Sequence, residues 1–301
     1  MSAQILKPTI AIYKTNEGGE VPINFIIRHL AAEYGAVTQY VTGSQICDGY
    51  LAQDHVRGIV FPGRERGNDY FKEMKLKGLQ SVQDETRNGL NVMAICAGSY
   101  ILSKEIHWHN KNADQSLIVK SPYPLFQGRS EGIISDLYPD SYFASSSKEQ
   151  RNGTGLPASI VKVASPENPN TSFSVQYAGG GRFIPDQDTS FKTLLLHQQT
   201  KDKTPAAIEF SYGDGLVHLH SAHPEVCNRL FNEVFKKSHR AVTMPEIFKN
   251  DLKALEDSQA ARTDLFRDFV QASFKKAAHS RTKQKIYAFN PSMIAKTAMV
   301  G

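Results

Sequence analysis

Asn91-Val-Met-Ala-Ile-Cys-Ala-Gly-Ser-Tyr100 is an apolar run that stops at a cysteine followed by three small residues. Its first part reads as a buried strand, and the residues after Cys96 read as the start of a helix. A reactive atom at the tip of a tight strand-to-helix turn is the layout of a nucleophile elbow. Strand and helix approach closely at such a turn, and Ala94, Ala97 and Gly98 supply the small residues it needs. The amino end of a helix, with its dipole and free N–H groups, favours the reactive thiolate. A lone cysteine is more often a packed core residue, so the segment by itself leaves both readings open.

The hundred residues that lead to the elbow alternate strand and helix patterns. Thr9–Tyr13 is a short apolar strand, Val21–Tyr34 carries Phe25, Ile26 and Leu30 at helical spacing, and Ala36–Val41 is a second strand. Val56–Phe61 is a third strand, ended by Pro62-Gly63. A helix over Asp69–Arg87, interrupted near Gly78, leads to Asn88-Gly89 and then to the strand Leu90–Ile95. Repeated β-α-β units with buried strands predict an α/β fold, a parallel sheet with helices on both faces.

From Ile106 to Lys203 the pattern loosens into short strands (Leu117–Val119, Ser159–Val163, Ser172–Tyr177) separated by Gly, Pro, Ser and Asn. An irregular, β-rich insertion fits this stretch. Ala206–Tyr212, Gly213-Asp-Gly215 and Leu216–Ser221 form a hairpin signal, and Val226–Lys237 reads as a helix. Met244–His279 spaces Phe248, Leu252, Leu255, Leu265, Phe269 and Phe274 at helical steps, a C-terminal extension packed on the body or on a partner. The expected division is therefore 1–240 as one large domain and 241–301 as a basic helical extension.

The chain has 301 residues, 40% hydrophobic and 22% charged, which excludes a mostly disordered polymer. Its net charge of +5 is uneven. Residues 231–301 hold 13 Lys/Arg against 7 Asp/Glu, a balance of +6 that leaves the first 230 residues at −1. That excess is too weak for a dedicated nucleic-acid protein but marks the extension as a place for a protein partner. No apolar run reaches the ~18 residues a membrane helix needs. Neither a secretory start nor a disulfide framework is evident, since the three cysteines (Cys47, Cys96, Cys227) are few and odd in number. A reducing, cytoplasmic setting is the expectation.

A cysteine nucleophile needs a base, and the base needs a group to orient it. His223-Pro224-Glu225, just past the strand Leu216–Ser221, can supply both from one loop. Glu225 would equally suit the first turn of the helix that follows. Ile59-Val-Phe-Pro-Gly-Arg-Glu-Arg-Gly67 ends beside the Cys96 strand in a parallel sheet, at the carboxyl edge where open α/β folds bind ligands. Backbone N–H groups near Gly63 and at Ala97 are candidate oxyanion donors.

The order of strand–Pro-Gly, Ile-Cys-Ala-Gly and a late His-Pro-Glu resembles the class I glutamine amidotransferases. Within that superfamily it resembles the amidotransferase-like domain at the N-terminus of biotin-protein ligases. The likeness includes Ile-Ala-Ile-Tyr13, Cys-Ala-Gly-Ser-Tyr100, Tyr177-Ala-Gly-Gly180 and Thr204-Pro-Ala-Ala207, and spans about residues 8–237. It implies a flavodoxin-like fold, Cys96 as nucleophile, His223 as base, Glu225 as orienting acid, and Gly63 and Ala97 as oxyanion donors. The implied substrate is a small-molecule amide, glutamine or a relative, with no cofactor. Ala94 replaces a common glycine. Arg64 stands where the family often has a second glycine, which implies a gate over the pocket or a hold on a carboxylate. These residues include neither a biotin-ligase catalytic domain nor a synthetase, so released ammonia would need an acceptor elsewhere.

Two rivals follow. Intracellular proteases and deglycases also show Ile-Cys-Ala-Gly, but their histidine usually follows the cysteine closely, whereas the first after Ala97 here is His107. A non-catalytic binding module that keeps the fold is the rival from another class. His218, His220 and His223 have no acidic or cysteine cluster beside them in sequence, so we read no metal site. Tyr177-Ala-Gly-Gly-Gly-Arg182 lacks the Lys-Ser/Thr of a phosphate loop and reads as a turn at the site's rim. His107-Trp108-His109 reads as a surface turn.

Overall fold

The computed structural model describes residues 6–14, 23–63, 68–110, 115–137, 159–226 and 246–275. Five parallel strands form the heart of the main sheet: β1 (Thr9–Tyr13), β2 (Val37–Val41), β3 (Val56–Phe61), β4 (Asn91–Ile95) and, much later in the chain, β13 (Gly215–His220). The insertion contributes β5 (Ser103–Asn110), β6 (Gln115–Lys120), β7 (Phe126–Gly132), β8 (Ser159–Ala164), β9 (Ser172–Tyr177), β10 (Arg182–Pro185) and β11 (Lys192–His197). With β12 (Pro205–Tyr212), the nine-stranded order is β2-β1-β3-β4-β13-β12-β11-β8-β9.

The α/β class holds, but the sheet is mixed, antiparallel from β13 outward. Connection length explains the change. Gly213-Asp214 joins β12 to β13 with Tyr212 paired to Gly215, and so short a turn reverses the chain, whereas parallel neighbours need a crossover. The rest of the insertion forms a second sheet, β10-β7-β5-β6. His107-Trp108-His109 lies within β5 rather than in a surface turn, with each residue paired across to β6.

Strand alternation sends side chains to two cores. Ala11, Tyr13, Ile59, Phe61, Val92 and Ala94 face α2 (Gly43–Cys47) and α3 (Asn68–Arg87). Ile10, Ile12, Val60, Met93 and Ile95 face α1 (Ile23–Ala32) on the other side. Ile23, Ile27, Leu30 and Ala31 give α1 one fully buried face at helical spacing. The break in α3 falls at Lys75, with φ 52°, ahead of the expected Gly78. Gly78 serves close packing there, because a Cβ would lie 2.9 Å from the Met74 side chain. The break turns the Met74 carbonyl to the Cys47 thiol, which donates to it at 3.0 Å.

The short elbow helix is α4 (Ala97–Ile101); beyond residue 245 the described chain forms α5 (Glu246–Asp257) and α6 (Gln259–Lys275). Phe266, Phe269 and Val270 of α6 are fully buried in the same core as α1, beneath β3 and β4. The apolar face of α6 is thus packed on the body of its own chain. The helix expected over 226–237 lies, apart from Val226, outside the described residues. Among the described residues no helix is long and apolar enough to cross a membrane.

Phe269→Ala is expected to cost about 3–5 kcal/mol, the usual result of emptying a buried aromatic site. Leu76→Ala, at a side chain 61% exposed, should stay within about 0.5 kcal/mol. Urea unfolding of the two variants measures both, and equal effects would contradict the placement of α6 in the core.

Candidate active site

The elbow is built by opposing demands on the residue after β4. Cys96 donates its N–H to His220 O at 2.8 Å, continuing the ladder with β13, while its carbonyl accepts from Ser99 N at 3.0 Å as α4 begins. The backbone satisfies both with φ 49° and ψ −110°. For a residue with a Cβ, such a conformation costs on the order of 1–3 kcal/mol and persists only where the surroundings enforce it. The Ser99 hydroxyl adds a second hydrogen bond to Cys96 O at 2.7 Å. Gly98 allows the close crossing, since a Cβ there would lie 2.5 Å from Phe61 O. The helix itself is only five residues long before β5 starts.

Because β3, β4 and β13 are adjacent and parallel, their carboxyl ends bring three distant segments together. Three residues past β13 a backbone bridge links His223 to Gln176, with His223 N donating to Gln176 O at 2.7 Å. His223 Nδ1 and Glu225 Oε1 are 2.8 Å apart, with side chains 13% and 7% exposed. Burial disfavours the charged imidazole, but the Glu225 carboxylate and the Cys96 sulfur outweigh it and hold His223 well above the ordinary 6.5. With Nδ1 directed at the carboxylate, Nε2 is the nitrogen left to exchange a proton. Nε2 is buried and makes no well-formed hydrogen bond among the described residues, while the Cys96 sulfur is near enough to act on it electrostatically. Long or poorly aligned contacts of this kind are common before substrate binds.

Pro62-Gly63 closes the third side. The Tyr70 hydroxyl donates to Pro62 O at 2.5 Å, and a Cβ on Gly63 would fall 2.2 Å from His223 Cε1. Gly63 is therefore the residue that lets the histidine ring lie against this turn. Ala97 opens α4, where an N–H has no partner within the helix. Arg64 lies outside the described residues. The structure thus brings Cys96, Ala97, Gly63, His223 and Glu225 to one edge of the sheet.

The glycine-rich turn is closer to the sulfur than a rim. Cys96 Sγ, on a residue 5% exposed, contacts Ala178 O at 3.5 Å, and Tyr100 donates its hydroxyl to Gly179 O at 3.0 Å. Sequence reading placed Tyr100 in the elbow without seeing that it ties the elbow to this turn. A tyrosine four residues after the cysteine and a run of three glycines were the available signal. His107, the nearest histidine in sequence, lies on the second sheet with Nε2 3.1 Å from Glu105.

His197, His218 and His220 are buried. His197 Nε2 is 2.7 Å from Ser221 Oγ, and burial, reinforced by Arg182, pushes that ring down to about 3. His220 is likewise pushed to about 3, by burial and then by His218. His218 Nε2 lies 2.9 Å from Glu209. Among the described residues no three His, Cys, Asp or Glu side chains are grouped to hold a metal ion.

A family model described as biotin-protein ligase, N terminal, matches residues 23–295. No curated protein matches by sequence. Of solved structures, a glutamine amidotransferase from Methylobacillus flagellatus aligns at 14% identity over 90% of this chain and 95% of its own, with a TM-score of 0.50. One from Thermotoga maritima aligns at 12% identity over 90% and 98%, with a TM-score of 0.48. At 14% identity the likeness to the Methylobacillus flagellatus protein shows the fold.

Glu225→Gln removes the carboxylate charge that most offsets burial, so His223 should titrate lower than in the wild-type chain. Gly63→Ala should displace the ring and shift the same titration. Histidine-selective NMR measures each midpoint, and unchanged values would contradict the arrangement.

Proposed function

The chain belongs to the biotin-protein ligase N-terminal family and has the class I glutamine-amidotransferase-like fold, and from there we propose that it is a cysteine-dependent amide hydrolase or amidotransferase. The observation that supports the reading is the 2.8 Å contact of His223 Nδ1 with Glu225 Oε1, just past the end of β13, the strand parallel and adjacent to β4, which ends at Cys96. A thiol beside an imidazole whose charge is supported by a carboxylate is the chemistry of nucleophilic acyl transfer.

In the proposed reaction, the Cys96 thiolate adds to the carbonyl carbon of a small amide, glutamine or a relative. The new C–S bond places negative charge on the carbonyl oxygen, which Gly63 and Ala97 N–H groups would receive. His223, protonated and oriented by Glu225, gives its Nε2 proton to the departing nitrogen as the C–N bond breaks. A thioester and ammonia result. Water then attacks the thioester, His223 takes its proton, and the C–S bond breaks to release the acid and restore the thiolate. Arg64 is proposed to gate the pocket or hold a substrate carboxylate. The sparse cysteines support a cytoplasmic setting, and the basic residues of 241–301 a protein partner.

One observation favours a second reading, a binding module that keeps the fold without turnover. The Ala178 carbonyl stands 3.5 Å from the sulfur of a residue that is 5% exposed, so the approach to the thiol is covered. A substrate must displace that turn, and a non-catalytic protein need not.

If the chain is a hydrolase, Cys96→Ala should reduce glutamine hydrolysis by at least about a thousandfold, in the range known for lost nucleophiles. Equal turnover by the two proteins would sink the nucleophile assignment. Diazo-norleucine, with peptide mapping, separates the two readings: rapid modification of Cys96 supports catalysis, and its failure to react supports the binding module.

A further inference from the structure

The loop that carries His223 and Glu225 is held from behind by α6. Arg262 is 2% exposed. Its guanidinium donates to the carbonyl oxygens of Leu255 at 2.6 Å and Ser258 at 3.4 Å, at the corner between α5 and α6. It also donates to Val226 O and, at 3.5 Å, to Pro224 O, the two residues that flank Glu225. One planar group thus ties the helical corner to the peptide units on both sides of the carboxylate. A guanidinium has five donors in a fixed fork, and that geometry suits carbonyls gathered from several directions.

The same corner holds the other backbone that frames His223. Ser258 Oγ accepts from Ser174 N at 2.8 Å and donates to Ala254 O at 2.7 Å. Ser174 lies on β9, and two residues further along the strand Gln176 O receives the His223 N–H. Both the residues after His223 and the strand paired with it are therefore fixed by 254–262.

We propose that Arg262 is a positioning residue for the His223–Glu225 pair, acting from the C-terminal helices through the Pro224 and Val226 carbonyls. The inference rests on the reading of Cys96, His223 and Glu225 as nucleophile, base and orienting acid. Arg262 does not touch the reacting atoms. It sets the path of the backbone at Glu225, and so where the carboxylate meets Nδ1. The charged groups acting on the imidazole are Glu225 from the same loop and Cys96 from the end of β4. A displacement of about 1 Å at such a pair can cost on the order of a hundredfold in rate.

The test compares the full chain with Arg262→Met, which keeps the stem and removes the fork, and Arg262→Lys, which keeps the charge with a single ammonium. Circular dichroism and thermal unfolding establish that each variant is folded. The readout is the His223 imidazole by NMR, both its titration midpoint and the downfield Nδ1–H resonance of the contact with Glu225. The proposal expects folded variants in which the midpoint moves down toward 6.5 and the downfield resonance weakens or disappears, with Lys failing to rescue. Folded variants with the wild-type midpoint and resonance would overturn it, leaving Arg262 a structural role alone. If Arg262→Met does not fold, Arg262→Lys decides by the same criteria. Absence of amide hydrolysis by the wild-type chain would count against the chemistry, but the His223 resonance would still test the positioning.

Discussion

Cys96 keeps a backbone conformation that a residue with a Cβ adopts only when its neighbours give it no alternative, and the surrounding architecture supplies that constraint. β4 lies inside the sheet, hydrogen-bonded to β3 on one side and β13 on the other, so the strand cannot relax sideways. Its alternating side chains are buried on both faces, Val92 and Ala94 toward α3, Met93 and Ile95 toward α1 and α6. The chain then has to leave the sheet at once, because Gly98 lies against the end of β3. The turn and the thiol it presents follow from how tightly β3, β4 and β13 are covered. This places α6 in the foundation of the site despite its distance in sequence.

The histidines show how one interaction changes the consequence of burial. His197 and His220 are buried and pushed down to about 3, so both are neutral across the physiological range. His223 is mostly buried too, yet its shift goes the other way, with a carboxylate 2.8 Å from Nδ1 and a sulfur acting on it as well. The contrast separates packing histidines from the one suited to carry a proton. The opposing terms are also why His223 is sensitive to placement. Loss of contact with Glu225 leaves burial opposed by the Cys96 sulfur alone.

Much of this was legible in the sequence, for local reasons. Val56–Phe61 and Ser172–Tyr177 have the bounds their residues predict, because apolar runs between turn residues report directly on strands. The nearness of the end of Val56–Phe61 to the Cys96 turn was approachable because parallel neighbouring strands must bring their ends together. The insertion was harder. β5 carries His107-Trp108-His109 in polar surroundings, and its partners β6 and β7 lie on either side of a short second sheet, so no simple alternation marks it. Lys75 rather than Gly78 takes the break in α3, since tight packing at Gly78 is a tertiary demand. Arg262 looked like one basic residue among the 13 of residues 231–301. Its contacts with Pro224 and Val226 join positions more than thirty residues apart, and no local pattern encodes them.

The central claim is that the imidazole of His223 makes the buried Cys96 thiol reactive. Its most direct test is the rate of iodoacetamide alkylation, resolved by peptide, for Cys96 and for the half-buried Cys47 in the wild-type chain and in His223→Gln. The account predicts that near neutral pH Cys96 reacts faster than Cys47 despite its greater burial, and that the advantage vanishes in the variant. Cys96 reacting no faster than Cys47, or equally fast with and without His223, would contradict it.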